Sequence, residues 1–349
     1  MMLGWSLSCC AAAAMAAGAA PFAVFHNDVK RLYGPWPVLE MLHENKSVPF
    51  AHEAGVFIQR DNTLFVTSNR FQDPVTREQR IVISRVALPP SRSPRPVRVE
   101  EVGTRHVAMA NGGVNYGGGI LFCAQGTRDS PGGLFLMESK PPYRSRCLVQ
   151  SYMNRPFNSP NDVVIHSDGS IWFTDPYYGF EQGFRPRPRL PSQVYRFDPR
   201  KKSVRVMADG FGMPNGISFS PDQTIVYVTD TDRIHGNGTI DDTRPSTIYA
   251  FDVDTSAGQP FLTNRRLFAM ADAGVPDGIK CDVHGNVYTG AGDGLNIWSP
   301  DGTLLGKILV EGGVSNFCFG RAGEIFLLNE NRLFRAQLAS STKGALLRV

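Results

Sequence analysis

Pro160-Asn161-Asp162-Val163-Val164-Ile165 leads through Ser167-Asp168-Gly169-Ser170 into Ile171-Trp172-Phe173-Thr174. A polar residue stands ahead of an apolar run, a turn follows, and a second run rich in aromatic and β-branched residues completes a hairpin signature. The opening phrase has five relatives in the chain. They are His52-Glu53-Ala54-Gly55-Val56-Phe57, Ala110-Asn111-Gly112-Gly113-Val114, Pro214-Asn215-Gly216-Ile217-Ser218-Phe219, Pro276-Asp277-Gly278-Ile279-Lys280-Cys281 and Ser315-Asn316-Phe317-Cys318-Phe319. Six copies, about forty to sixty residues apart, predict six similar units arranged in a closed ring.

Third and fourth strands follow in several units. Gln193-Val194-Tyr195-Arg196-Phe197-Asp198 and Thr247-Ile248-Tyr249-Ala250-Phe251-Asp252 hold one place; Ser203-Val204-Arg205-Val206-Met207 and Arg265-Arg266-Leu267-Phe268 hold the next. Four antiparallel strands per unit is the grammar of a propeller blade, so the expected fold is all-β, a six-bladed β-propeller. The sixth unit is one strand short. The region around Val38-Leu39 is expected to supply that strand and close the ring by joining the two ends of the chain. Three long inserts, Pro89 to Val97, Tyr177 to Pro191 and Thr231 to Arg244, read as surface loops, the last two as lids over one face.

The 349 residues, 42% of them hydrophobic, with 35 Gly, 25 Pro and a net charge of only +4, fit one propeller domain over residues 21–349. No dense basic patch with interleaved aromatics occurs, which argues against nucleic acid. Residues 1–20 are apolar, rich in small side chains and end near Ala17-Gly18-Ala19, the outline of a secretory signal. The expectation is secretion, with a disordered tail and a cytoplasmic location as the alternative. No later stretch is long enough to span a membrane. Cys123, Cys281 and Cys318 sit inside apolar strand patterns and are expected as buried free thiols.

In a propeller the innermost strand of each blade starts beside the axis. Glu53, Asn161, Asn215 and Asp277 would then converge there as two carboxylates and two amide oxygens. A set of hard oxygen donors suits Ca²⁺, and Mg²⁺, Mn²⁺ or Zn²⁺ could stand in its place. Any single Asn-Gly or Asp-Gly pair is an ordinary turn former; recurrence ahead of the strand carries the metal reading. Asn111 and Asn316 hold the same place in units two and six; they could be ligands too, but substrate contact or support of the ligands is the expected role, because four protein ligands already need room for water and substrate. His52 adjoins Glu53, and strand alternation predicts that it points away from the axis.

Asn158-Ser159-Pro160-Asn161-Asp162-Val163-Val164, with Ile171-Trp172-Phe173-Thr174-Asp175-Pro176 after it, resembles the gluconolactonases of the SMP-30/gluconolactonase/LRE-like family. Met213-Pro214-Asn215-Gly216-Ile217, Pro276-Asp277-Gly278-Ile279 and the Glu53 segment are similar to its other ligand motifs. The resemblance runs from about residue 50 onward. It implies a divalent-metal-dependent hydrolase of a small-molecule lactone, with Glu53, Asn161, Asn215 and Asp277 as ligands and Asp277 as general base. Cys123-Ala124-Gln125-Gly126 departs from a Cys-Glu-His-Gly run of bacterial members. Gln125 and Asn158 complete the candidate substrate contacts. A condensing or cyclising enzyme similar to strictosidine synthases, or a non-catalytic calcium-stabilised propeller, remain as alternatives on the same fold.

Overall fold

A computed structural model describes residues 20–89, 97–103 and 107–345; the predicted leader thus lies outside the described residues except for Ala20. Six antiparallel sheets stand around a common axis. Blade 1 runs Glu53–Ile58, Thr63–Thr67, Ile83–Ala87 and Arg98–Val102; blade 2 runs Ala110–Tyr116, Gly119–Ala124, Gly133–Met137 and Ser145–Val149. Blade 3 is Val163–Ile165, Ile171–Asp175, Gln193–Asp198 and Ser203–Ala208. Blade 4 is Pro214–Phe219, Ile225–Asp230, Thr247–Ser256 and Gln259–Met270. Blades 5 and 6 begin at Ile279–Cys281 and Asn316–Phe319. Every copy of the opening phrase therefore starts an innermost strand.

The ring closes as expected and then further. Val38–Glu44 pairs with Arg332–Gln337 as the outer strand of blade 6. Before it, Phe22–Val24 adds an unforeseen fifth strand to blade 5, against Leu304–Leu309. The short helix Val29–Tyr33 joins the two. Its Tyr33 hydroxyl donates to the backbone oxygens of Lys307 (2.9 Å) and Ala23 (3.0 Å), and Val29, Leu32 and Tyr33 are buried. A three-residue strand carries too little pattern to be read from sequence.

Cohesion comes from apolar seams between neighbouring blades. Trp172, Phe219 and Val228 fill the seam of blades 3 and 4, with the Trp172 and Phe219 rings edge to face at 5.3 Å. Tyr288, Phe317 and Phe319 fill that of blades 5 and 6. Cys123, Cys281 and Cys318 are free and buried within these strands, and Cys147 is free and exposed.

Near the axis the seams narrow until there is no room for a side chain. A Cβ on Gly112 would meet the backbone oxygen of Asn161 at 2.5 Å, one on Gly216 that of Asp277 at 2.5 Å, and one on Gly278 the Asn316 side chain at 2.3 Å. None of the three has a positive φ. Their glycines answer to the neighbouring blade and not to a turn, so the turn reading of these pairs gives way to a packing one. Gly216→Ala is accordingly expected to destabilise the fold by about 1–3 kcal/mol through overpacking, seen as a lowered Tm in thermal denaturation; an unchanged Tm would mean that blades 4 and 5 are less tightly apposed.

Candidate metal centre

Two sets of connections meet on one face of the ring. The segments entering each innermost strand bring His52, Glu53, Asn111, Asn161, Asn215 and Asp277; the loops between second and third strands bring Arg70, Gln125, Tyr178 and Glu330. All of these line a single cavity at the axis. Glu53, Asn161 and Asn215 are buried, as is Asn111.

The segments of Asn111, Asn215 and Asp277 are each pinned by a threonine of the blade before. The Thr174 hydroxyl of blade 3 donates to the Asn215 carbonyl (2.6 Å) and accepts from the Asp162 N–H (3.1 Å). In blade 4, the Thr229 hydroxyl donates to the Asp277 carbonyl (3.0 Å) and accepts from the Gly216 N–H (2.7 Å). Thr67 of blade 1 donates likewise to the Asn111 carbonyl (3.1 Å). These threonines close the second strands as Phe-Val-Thr, Trp-Phe-Thr and Tyr-Val-Thr. The recurrence was visible in the chain but reads there only as β-branched strand filler. Blade 2 has Cys123 and blade 6 has Leu328 at this place.

The side chains converge as follows. Ligand atoms of His52, Glu53 and Asp277 lie within 4.8 Å of one another. Glu53 Oε2 accepts from Asn316 Nδ2 at 2.6 Å. Asn161 Oδ1 and Asp277 Oδ1 are sealed from solvent and have no hydrogen-bond partner among the described residues. Burial raises the Glu53 pKa, and the Asp277 and Asp162 charges raise it further against the pull of His52. Asp277 is raised in the same way, by burial first, with Glu330 and Asp162 adding to it. The carboxylates of Glu53 and Asp277 and the amide oxygen of Asn161, with one oxygen each of Asp277 and Asn161 unsatisfied, thus crowd a space that favours a positive charge. The donor set fits a hard divalent cation: orphaned buried oxygens are costly unless something meets them.

His52 departs from the expectation drawn from strand alternation. It precedes the regular ladder, and the strand itself is kinked by positive φ at Ala54 (67°) and Gly55 (73°) with a register shift at the same place. The ring therefore turns into the cavity. Its Nδ1 lies 2.7 Å from Glu330 Oε1, and its Nε2 lies 4.0 Å from Glu53 Oε1. Burial works to lower its pKa, but Glu330, Glu53 and Asp277 outweigh that and lift it to about 10. An imidazole thus borders a site that sequence had made purely oxygen. Glu330 follows the last copy's second strand, where nothing in the local pattern marks it.

Of the candidate substrate contacts, Asn111 and Gln125 line the cavity. Asn316 supports Glu53 from behind. Asn158 does not line the cavity: its amide donates to the backbone oxygen of Leu190 (3.0 Å) and its N–H to Asp175 Oδ2 (2.9 Å), so it ties a loop. The two predicted lids both reach the cavity and lock together. The Tyr178 hydroxyl meets Thr231 Oγ1 (2.5 Å), and the Gly236 N–H donates to Glu181 Oε2 (2.6 Å). A third lid was not foreseen, a small ribbon Phe71–Gln72 with Gln79–Arg80 inserted in blade 1. The insert Pro89 to Val97 lies mostly outside the described residues.

This arrangement has a family. The pattern of the SMP-30/Gluconolactonase/LRE-like region matches residues 111–327. The chain belongs to that family. It is 32% identical over 204 residues to a gluconolactonase of Zymomonas mobilis, covering 56% of this chain and 54% of that one. It is 28% identical over 334 residues to the lactonohydrolase oryL of Aspergillus oryzae, covering 87% of this chain and 70% of that one. The chain thus spans about half the length of the Zymomonas relative. Among solved structures, a gluconolactonase from Xanthomonas campestris superposes with a TM-score of 0.70 at 26% identity, over 94% of this chain and 99% of that one.

Replacing Thr229 by Val removes both bonds of its hydroxyl at constant shape. The expected loss is about 1–3 kcal/mol, because a buried N–H and carbonyl are left unpaired. Urea denaturation checks it, and a midpoint equal to the parent's would show that the relay carries no stability.

Proposed function

We propose that this chain is a hydrolase that opens a lactone to a hydroxy acid with the help of a divalent cation of the Ca²⁺ type, with Mg²⁺, Mn²⁺ or Zn²⁺ as possible replacements. Glu53, Asn161, Asn215 and Asp277 would hold the ion. The observation that carries the reading is the pair of sealed, partnerless oxygens, Asn161 Oδ1 and Asp277 Oδ1, in one cavity with Glu53 and Asn215. Membership of the family and the lactone-opening names of its relatives favour the same reading. When bound, such a cation supplies Lewis acidity toward a carbonyl oxygen and stabilises negative charge that develops there.

The chain's own groups do the rest. Asp277 accepts a proton from the attacking water, the role its carboxylate can play beside the reacting carbonyl. The water oxygen bonds to the carbonyl carbon, the ring C–O bond breaks, and the departing oxygen takes a proton to become the hydroxyl of the product. Asn111 and Gln125 stand where they can orient the ring by hydrogen bonds. The interlocked lids of blades 3 and 4 restrict bulk water. No serine or cysteine nucleophile is needed.

Treatment with EDTA is expected to abolish lactone opening, and added Ca²⁺ to restore it; a rate indifferent to chelation would remove the cation from the reaction. Asp277→Asn is expected to lower kcat by about 10²–10⁴-fold, the usual range for a lost general base, while circular dichroism stays that of the parent. Retention of the parent kcat would assign the proton transfer elsewhere.

A further inference from the structure

One charged group in the cavity has no role in that chemistry. Arg70 follows Asn69 on the loop after strand Thr63–Thr67 and lines the cavity with the candidate ligands. A guanidinium offers five N–H donors in a rigid fork. Among the described residues, only one side chain takes any of them: Nη1 donates to Gln79 Oε1 at 3.1 Å. Its Nε is sealed from solvent and has no acceptor among the described residues. No carboxylate of the described residues forms an ion pair with it, and burial alone pulls its pKa below the ordinary value.

Other arginines on this face are committed. Arg185 donates to the backbone oxygens of Asn158, Thr127, Ser130 and Phe157. Arg80 pairs with Asp73 and Glu101, and Arg233 with Asp242. Arg70 is also held in place from two sides. Its N–H donates to Asn69 Oδ1 (2.6 Å), and Asn69 in turn donates to Glu330 (3.0 Å). Its partner Gln79 donates to the Gln182 carbonyl of the blade 3 lid (3.1 Å). The Nη2 amine of this fixed fork has no acceptor among the described residues and is not sealed, so it can take an oxyanion that enters from the cavity.

We propose that Arg70 is a specificity residue and that the substrate is a lactone bearing a pendant anionic group, which the Arg70 fork binds while the lactone carbonyl lies among Glu53, Asn161, Asn215 and Asp277. Carboxylate, sulfonate and phosphate share the required chemistry. The lactone half of this statement rests on the hydrolase reading above; the anion half rests on Arg70 alone.

The test compares glucaro-1,4-lactone and 6-phosphoglucono-1,5-lactone with neutral glucono-1,5-lactone, on the parent, Arg70→Gln and Arg70→Lys. The parent is expected to favour at least one anionic lactone by about tenfold to a hundredfold in kcat/KM, the worth of a charge-assisted pair. Whichever anionic arm shows the larger ratio identifies the anion. That preference should collapse to near unity in Arg70→Gln and be partly restored in Arg70→Lys, with the change carried mainly by KM. A parent that opens lactones without preferring either anionic one overturns the proposal and leaves the hydrolase reading standing. If no lactone is opened, calorimetry with glucarate decides: binding by the parent that is lost in Arg70→Gln sustains the anion site, and equal or absent binding in both ends it.

Discussion

Six inner strands approach the axis more closely than side chains allow, and the site follows from that crowding. Gly112, Gly216 and Gly278 are needed because the next blade's ligand-bearing segment occupies the space where a Cβ would be. The same closeness brings second-strand hydroxyls within reach of the next blade's backbone. Thr67, Thr174 and Thr229 turn that proximity into hydrogen bonds, so the carbonyls of Asn111, Asn215 and Asp277 are set by the preceding blade. A side chain whose backbone is held from outside its own sheet keeps its direction even when local strand geometry is irregular. That suits a site where acidic groups face one another and must not relax apart.

Electrostatics impose the second constraint. Glu53 and Asp162 are buried and Asp277 half-buried; desolvation raises the pKa of Glu53, with Asp277 and Asp162 adding to it, and that of Asp277, with Glu330 and Asp162 adding to it. The protein offsets part of this with His52, itself braced by Glu330, and with the Asn316 amide on Glu53. What is left over, two partnerless oxygens and a surplus of negative charge, is the feature from which the cation reading grows.

The fold and much of the site were legible because repetition is the strongest signal a single chain carries. One polar residue ahead of each apolar run placed Glu53, Asn111, Asn161, Asn215 and Asp277 correctly at strand starts around the axis. The parts that were not legible depend on contacts between distant segments or on departures from regular pleat. His52 was misdirected because alternation fails where Ala54 and Gly55 adopt left-handed backbone. Glu330 and Arg70 gain meaning only when blades 6 and 1 are side by side, and Asn158 lies off the cavity, its amide N–H bound to Leu190 within blade 3. Phe22–Val24 was too short to show a period.

The outer strand of blade 6 is made from residues Val38–Glu44, and its hydrogen-bonding partner is Arg332–Gln337. On the ribosome the first of these emerges long before the second, and blades 1 to 5 lie between them in the chain. Blades 1 to 5 can form their own inner strands in the meantime, but Asn316, the amide that braces Glu53, arrives only with the last blade. The axial centre is therefore complete only once blade 6 is in place, and shortening the amino-terminal strap removes the outer strand of that same blade.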